Sequence, residues 1–75
     1  MKFERPFDAL NANRGKKVIV ELKNGKLYTG VLEAFDIHLN LTLSSTQKNS
    51  EDKEKKSDII IRGDAIVTIE LSGEE

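Results

Sequence analysis

Two short polar clusters contain the side chains of this sequence that could form a binding site. The first is Asp36-Ile37-His38-Leu39-Asn40, where a carboxylate, an imidazole and an amide recur at every second position. The second is Arg62-Gly63-Asp64. Imidazole and guanidinium groups are flat and can stack on a nucleobase. An asparagine amide adds one acceptor and two donors for a base edge.

Each cluster alone is weak evidence, because a single histidine is usually structural and an Arg-Gly-Asp triplet is usually only a turn. A hydrolase or metal enzyme built on Asp36, His38 and Asp64 is the competing interpretation. Such a site needs a nucleophile or further ligands, yet the chain has one histidine and no cysteine. We therefore expect no catalytic activity, no metal site and no cofactor.

Size and composition limit the class of protein. Seventy-five residues make a single domain, and so small a core usually needs outside support. Without cysteine for disulfides, oligomerisation is the expected support, and a reducing cytoplasm is the expected location. No apolar stretch is long enough to span a bilayer, so no membrane partner is expected. A net charge of −1 argues against a duplex-DNA binder.

The clusters must be positioned by short β-strands. Val18, Val20 and Leu22 alternate with polar or outward residues, and Asn24-Gly25 is a strong hairpin signal. Gly30 indicates a bend within the second strand. The sequence predicts a helix over Pro6–Asn13 and a first strand that starts at Lys16. The four further predicted strands cover about Lys26–Phe35, His38–Ser45, Asp58–Arg62 and Ala65–Leu71.

These elements predict a mainly β fold, in which a short N-terminal helix precedes a strongly bent five-stranded antiparallel sheet close to a small barrel. Residues 46–57 are interpreted as a variable polar loop. A lysine cluster there that touches RNA is the less favoured alternative, because acidic residues are interleaved. In this prediction His38 and Asn40 lie on one face of the third strand.

The last two strands lack the usual protection against edge pairing. Neither contains proline or an internal lysine, and Ile59–Ile61 places apolar side chains on both faces. One interpretation is a strand buried on both sides within a single subunit. We favour strand addition between neighbouring copies, which must close into a ring or continue as a filament.

The motifs resemble those of the archaeal Sm-like (LSm) proteins of the Sm/LSm family over nearly the whole chain. The first family motif matches 17–43, with Gly25, Gly30 and the Asp-x-His-x-Asn string, and the second matches 60–64 and the strand around Val67. Ala65 departs from the asparagine frequent in the family. The resemblance divides a single domain, 1–75, into a helix region 1–15, a first motif 16–45, the loop 46–57, a second motif 58–71 and a tail 72–75.

The resemblance implies a helix-capped bent barrel and a ring, most often of seven subunits, in which the fourth strand pairs with the fifth strand of the next copy. It implies binding of single-stranded, uracil-rich RNA, with one nucleotide per subunit. A structural or protein-docking ring with weak or no RNA binding is the alternative. A second RNA contact through Arg14 or Tyr28 remains open.

The same resemblance assigns roles to the two clusters. His38 and Arg62 are implied to sandwich the base, and Asn40 to hydrogen-bond its edge. The RNA-binding set also contains Gly63 and Asp64, and Asp36 is implied to support the loop. Our sequence-based hypothesis is that Asp64 holds the Asn40 amide and so gives the preference for uracil over cytosine.

Overall fold

The structure, a computed structural model, describes residues 5–48 and 57–71. The parts of the predicted loop and tail at 49–56 and 72–75 lie outside the described residues. One short helix is followed by five antiparallel strands in the sheet order β4-β3-β2-β1-β5, which confirms the predicted fold class. The elements are α1 (Pro6–Ala12), β1 (Lys17–Leu22), β2 (Leu27–Phe35), β3 (Leu41–Lys48), β4 (Ser57–Ile61) and β5 (Ile66–Leu71), with a 3-10 turn (Gly63–Ala65) before β5.

Helix α1 is held to the sheet by its apolar face. It has a proline in its first turn, which suits the helix start. Leu10 is buried in the core, and the ring of Phe7 meets Phe35 at the end of β2 edge to face, with centroids 5.0 Å apart. Gly15 follows the helix with a φ of 83° and turns the chain into β1. A helix this short depends on such packing.

The core is formed where the apolar alternation of the strands faces inward. Gly30 allows the bend in β2, since a Cβ there would lie 2.9 Å from Thr46 Oγ1 and 3.0 Å from the Ser44 carbonyl oxygen. The strand register shifts between Thr29 and Val31, at the same point. The fully buried core side chains are Val18, Val20, Leu32, Leu41 and Leu43.

Strands β4 and β5 form the two edges of the sheet, as the sequence predicted. Each exposes a large apolar side chain, Ile60 at 74% and Val67 at 55%. The pairing of β5 with β1 shifts between Glu21 and Leu22, which leaves Val67 as the extra residue of a bulge. In the described ranges, no helix is long and apolar enough to cross a membrane.

The third strand was predicted too early in the sequence, at about His38–Ser45. It begins at Leu41 and ends at Lys48, so His38 and Asn40 lie in the connection before it and do not share a strand face. The strand also includes Thr46, which was predicted to start the polar loop and is buried. The side chains of Asp36 and Asn40 form hydrogen bonds within the turn itself. Their spacing at every second residue is also typical of a strand, which is why a strand was predicted.

Candidate functional site

The first cluster forms the turn between β2 and β3, here called the cleft turn (Asp36–Asn40). Its backbone repeats the pattern of the β1–β2 turn (Leu22–Lys26). In each, the first N–H donates to the last carbonyl and the next-to-last N–H donates to the first carbonyl, over 2.9 to 3.2 Å. The next-to-last residue is left-handed in both, with a φ of 87° at Gly25 and 62° at Leu39.

The Asp36 carboxylate organises the cleft turn. Its Oδ1 accepts the backbone N–H groups of His38 at 2.9 Å and Asn40 at 3.0 Å, and its Oδ2 accepts the Asn40 side-chain NH₂ at 3.1 Å. The amide of Asn40, then its backbone N–H, lower the pKa of Asp36 because they stabilise the ionised carboxylate. The geometry fits the supporting role predicted for Asp36.

The second cluster, Arg62-Gly63-Asp64, contacts the cleft turn at Gly63. Its backbone N–H donates to Asn40 Oδ1 at 2.8 Å. A Cβ at Gly63 would overlap the carbonyl oxygen of His38 and would lie 3.0 Å from that of Leu39. The two segments therefore meet backbone to backbone, and no larger residue fits without moving them apart.

This contact gathers the predicted site residues around one cleft of about 440 Å³, lined by His38, Asn40, Arg62, Gly63 and Asp64. The side chains of His38 and Arg62 are exposed, whereas Asn40 is half-buried between the two segments. All five residues predicted to form the site thus lie together. Asp36 supports the same turn from within.

The predicted bond between Asp64 and Asn40 is wrong. Asn40 donates to Asp36 and accepts from Gly63, so its amide orientation is set without Asp64. Asp64 instead pairs with Arg62, with Nη2–Oδ2 and Nε–Oδ1 distances of 3.0 and 3.3 Å. The reason is proximity: Asp36 reaches Asn40 within one turn, and the guanidinium lies beside the carboxylate of Asp64.

The oriented amide and the ion pair leave complementary groups free for a ligand. Asn40 Oδ1 retains a second lone pair, and its NH₂ retains a second hydrogen. The Arg62–Asp64 pair uses the edge of the guanidinium, which leaves the two faces of that group available for stacking. A flat molecule with a donor next to an acceptor on one edge would match these groups.

Sequence reasoning missed Leu39. Its left-handed backbone costs a non-glycine residue about 1–2 kcal/mol. Its side chain is half-buried against the hydrophobic core, and burying a leucine fully contributes about 1.5–3 kcal/mol. It lines an apolar groove of about 330 Å³ together with Pro6, Ala9, Leu10, Ile69 and Leu71. The correspondence with Gly25 lies in backbone hydrogen bonds and φ, so the sequence alone carried no signal for the role of Leu39.

The described ranges hold no group of three or more histidine, aspartate or glutamate side chains placed to bind a metal ion. Asp64 in the cleft and Asp36 in the turn beside it each accept hydrogen bonds from donors of their own segment. The arrangement is suited to holding a flat polar ligand by stacking and hydrogen bonding.

Comparison with known proteins gives a consistent result. The LSM domain family model matches residues 8–71. An snRNP Sm-like protein of Thermococcus sibiricus is 43% identical over 68 residues, which cover 88% of this chain and 90% of that protein.

Two solved structures have the same fold. The Pyrococcus abyssii Sm protein in complex with a uridine heptamer superposes with a TM-score of 0.82 and 35% identity, covering 92% of this chain and 100% of that one. A heptameric archaeal Sm protein gives a TM-score of 0.77 and 28% identity, covering 85% of this chain and 96% of that one.

Proposed function

Because this chain belongs to the LSM domain family, we propose that it is a subunit of a seven-membered ring that binds single-stranded, uracil-rich RNA, one base per subunit. The Sm protein solved with a uridine heptamer and the heptameric archaeal Sm protein support the ligand and the subunit number. The ring acts in RNA processing or metabolism as a binding protein without catalytic activity, and we place it in the cytoplasm.

The orientation of the Asn40 amide is the observation that carries this proposal. With Asp36 on its NH₂ and the Gly63 N–H on its oxygen, Asn40 offers an acceptor and a donor in a fixed order. Uracil presents its imino N–H beside a carbonyl, which matches that order, whereas cytosine presents the reverse. A bidentate pairing of this kind contributes about 1–3 kcal/mol of discrimination between bases.

Stacking supplies the part of the affinity that does not depend on sequence. We assign His38 and Arg62 to the two faces of the bound base, since both are exposed at the cleft and both are flat. Asp64 holds the guanidinium edge and so restricts the plane in which Arg62 can stack. Its role is therefore in the clamp and not in the choice of base.

One site of this kind is too weak to work alone, which explains the need for a ring. A stacked base contributes about 1–3 kcal/mol. Identical sites on linked subunits make each later contact intramolecular and multiply the affinity. The exposed apolar edges β4 and β5, with Ile60 and Val67 outward, are suited to pairing with neighbouring copies.

The test combines native mass spectrometry with RNA binding. Mixed with seven-nucleotide oligo-U, the protein is expected to give a seven-subunit complex with one RNA. Oligo-U of two nucleotides should bind far more weakly than the seven-nucleotide form, and seven-nucleotide oligo-C should bind more weakly than oligo-U. Incubation with and without divalent metal should leave the RNA uncut.

A matched pair of variants separates the cleft from overall charge. His38→Ala with Arg62→Ala should keep the ring and lose most oligo-U affinity, because both faces of the clamp are removed. Arg5→Ala, which removes one positive charge at an exposed ion pair outside the cleft, should bind as the parent does. Unaltered oligo-U affinity in the double variant would show that the RNA does not bind in the cleft and would end the proposal, whereas a parent ring that fails to bind oligo-U would favour the protein-docking ring.

A further inference from the structure

We propose that Leu39 is a positioning residue for RNA binding: its side chain, anchored in the groove between α1 and β5, holds His38 and Asn40 in the cleft. The inference rests on the proposed function, and it assigns a role to a residue that does not face the cleft. Leu39 is absent from the residues that line the cleft, yet it stands between two that do.

The first argument is the residue type at a left-handed position. The β1–β2 turn has the same hydrogen-bond pattern and places Gly25 there, where nothing lies within 4 Å of a Cβ position. Glycine adopts that conformation without steric cost. The cleft turn has leucine with a φ of 62°. A strained backbone persists only where surrounding contacts hold it, and such positions cluster at functional sites.

The second argument is what the side chain and the carbonyl of Leu39 contact. The side chain packs against the core and lines the groove with Leu10 of α1 and Leu71 of β5. The carbonyl lies against Gly63, whose N–H orients the Asn40 amide. Leu39 therefore connects the packed body of the domain to the contact between the two segments of the cleft.

Loss of the anchor should lower the fraction of subunits whose turn is competent to bind. The apparent dissociation constant rises in inverse proportion to that fraction, so a turn ordered in about one subunit in ten weakens each contact about tenfold. The effect should be multiplied in the ring, where several subunits hold one RNA.

Leu39→Gly is the decisive variant because it removes the anchor while glycine adopts the left-handed backbone conformation without steric cost. Leu39→Met retains an apolar side chain of similar reach and should restore the parent behaviour. Leu71→Ala is the matched control, since it removes apolar atoms from the same groove without altering the cleft turn. All rings are first confirmed as assembled by native mass spectrometry.

Two measurements report on these variants. Affinity for seven-nucleotide oligo-U should fall at least about tenfold in Leu39→Gly and stay near the parent value in Leu39→Met and Leu71→Ala. Without RNA, hydrogen exchange of the Asn40 and Gly63 backbone amides should be faster in Leu39→Gly only. The second measurement does not depend on the RNA ligand.

The outcomes separate the two proposals. If Leu39→Gly binds oligo-U as tightly as the parent and its amides exchange no faster, the positioning role is overturned. If Leu71→Ala reproduces every effect of Leu39→Gly, Leu39 contributes only to core packing and the inference is likewise overturned. If the parent fails to bind oligo-U while exchange still responds to Leu39→Gly alone, the proposed function fails and the positioning of the turn stands.

Discussion

The β1–β2 turn and the cleft turn have the same backbone hydrogen bonds but are stabilised differently. The first relies on Gly25 and on one exposed hydrogen bond from the Lys26 N–H to Asn24 Oδ1. The second uses the Asp36 carboxylate as a hub and a leucine at the left-handed position. A turn that only reverses the chain can be assembled from local propensity. The cleft turn is held both by the carboxylate of its own first residue and by contacts with the core and with Gly63.

The 3-10 turn before β5 touches both turns and shows the same contrast. Its Ala65 carbonyl accepts the N–H of Lys23 at 2.9 Å, a contact between backbones alone. Its Gly63 N–H instead donates to the Asn40 side chain, and Gly63 presses on the backbone of the cleft turn. The cleft turn is thus fixed by the second motif as well as by the first.

The largest expected effect is that of Gly63→Ala. The added Cβ collides with the His38 carbonyl oxygen, so the two segments separate and the Asn40 amide loses its donor. We expect a loss of about 1–3 kcal/mol in the free energy of unfolding and no measurable oligo-U binding, tested by denaturant titration and fluorescence anisotropy.

Gly25→Ala is the control for this prediction. It strains a left-handed position by about 1–2 kcal/mol but adds an atom where no neighbour lies within 4 Å. It should reduce stability while the assembled ring keeps its oligo-U affinity. Equal RNA binding by the two variants would show that the contact of Gly63 with the cleft turn is irrelevant to the ligand.

A smaller effect is expected from Asp36→Ala, which removes the hub but creates no collision. The Asn40 amide then loses the acceptor for its NH₂ and can rotate. The ratio of oligo-U to oligo-C affinity should fall by about an order of magnitude for each bound base, which is the discrimination that one bidentate pairing supplies. Asn24→Ala, the corresponding change in the β1–β2 turn, should leave this ratio intact.

Acid gives a second measurement on the same carboxylate. Hydrogen bonds from Asn40 lower the pKa of Asp36 in the folded protein below its ordinary value. Its contribution to order in the turn is therefore present above that ordinary value and is lost as the pH falls through the folded pKa. In a His38→Ala variant, which removes the imidazole whose charge also acts on Asp36, the Asn40 amide resonances of the free protein should move only as the pH falls below the ordinary range of an aspartate. Movement near neutral pH in that variant would contradict the assignment.

The smallest effect is expected from Asp64→Asn, because Arg62 and Asp64 form an ion pair whose side chains are 78% and 68% exposed. Such pairs contribute about 0.2–1 kcal/mol, so oligo-U affinity should fall no more than about fivefold for each bound base. The oligo-U to oligo-C ratio should not change. Asp8→Asn breaks the exposed pair with Arg5 outside the cleft and should have no effect on RNA. A lost ratio in Asp64→Asn would restore the hypothesis that Asp64 orients Asn40.

The architecture could be predicted from the sequence because periodic apolar residues and turn signals agree with the tertiary structure. The helix follows from Pro6 at its start and Leu10 on its apolar face. Four of the strands and both edges follow from alternation and turn signals, as at Val18, Gly25 and Ile60. The third strand was shifted because polar residues at spacing two suit a strand and a turn equally well. Only the left-handed backbone at Leu39 distinguishes the two, and period alone does not encode it.

Within the site, sequence predicted the members better than their partners. His38, Asn40 and Arg62 all line the cleft, yet the partner of Asn40 proved to be Asp36 and not Asp64. Two carboxylates were available, and the choice depends on a few ångströms of side-chain reach. A sequence pattern does not contain such distances.

Pro6 at the start of α1 and Leu71 at the end of β5 line the same groove, so the polypeptide leaves the fold close to where it enters. Proteins with adjacent entry and exit points commonly tolerate circular permutation. A short tether between them, with the chain opened at the exposed Asn24-Gly25 pair, would preserve the sheet order and both segments of the cleft. The new termini would then emerge at a turn that lies outside the cleft.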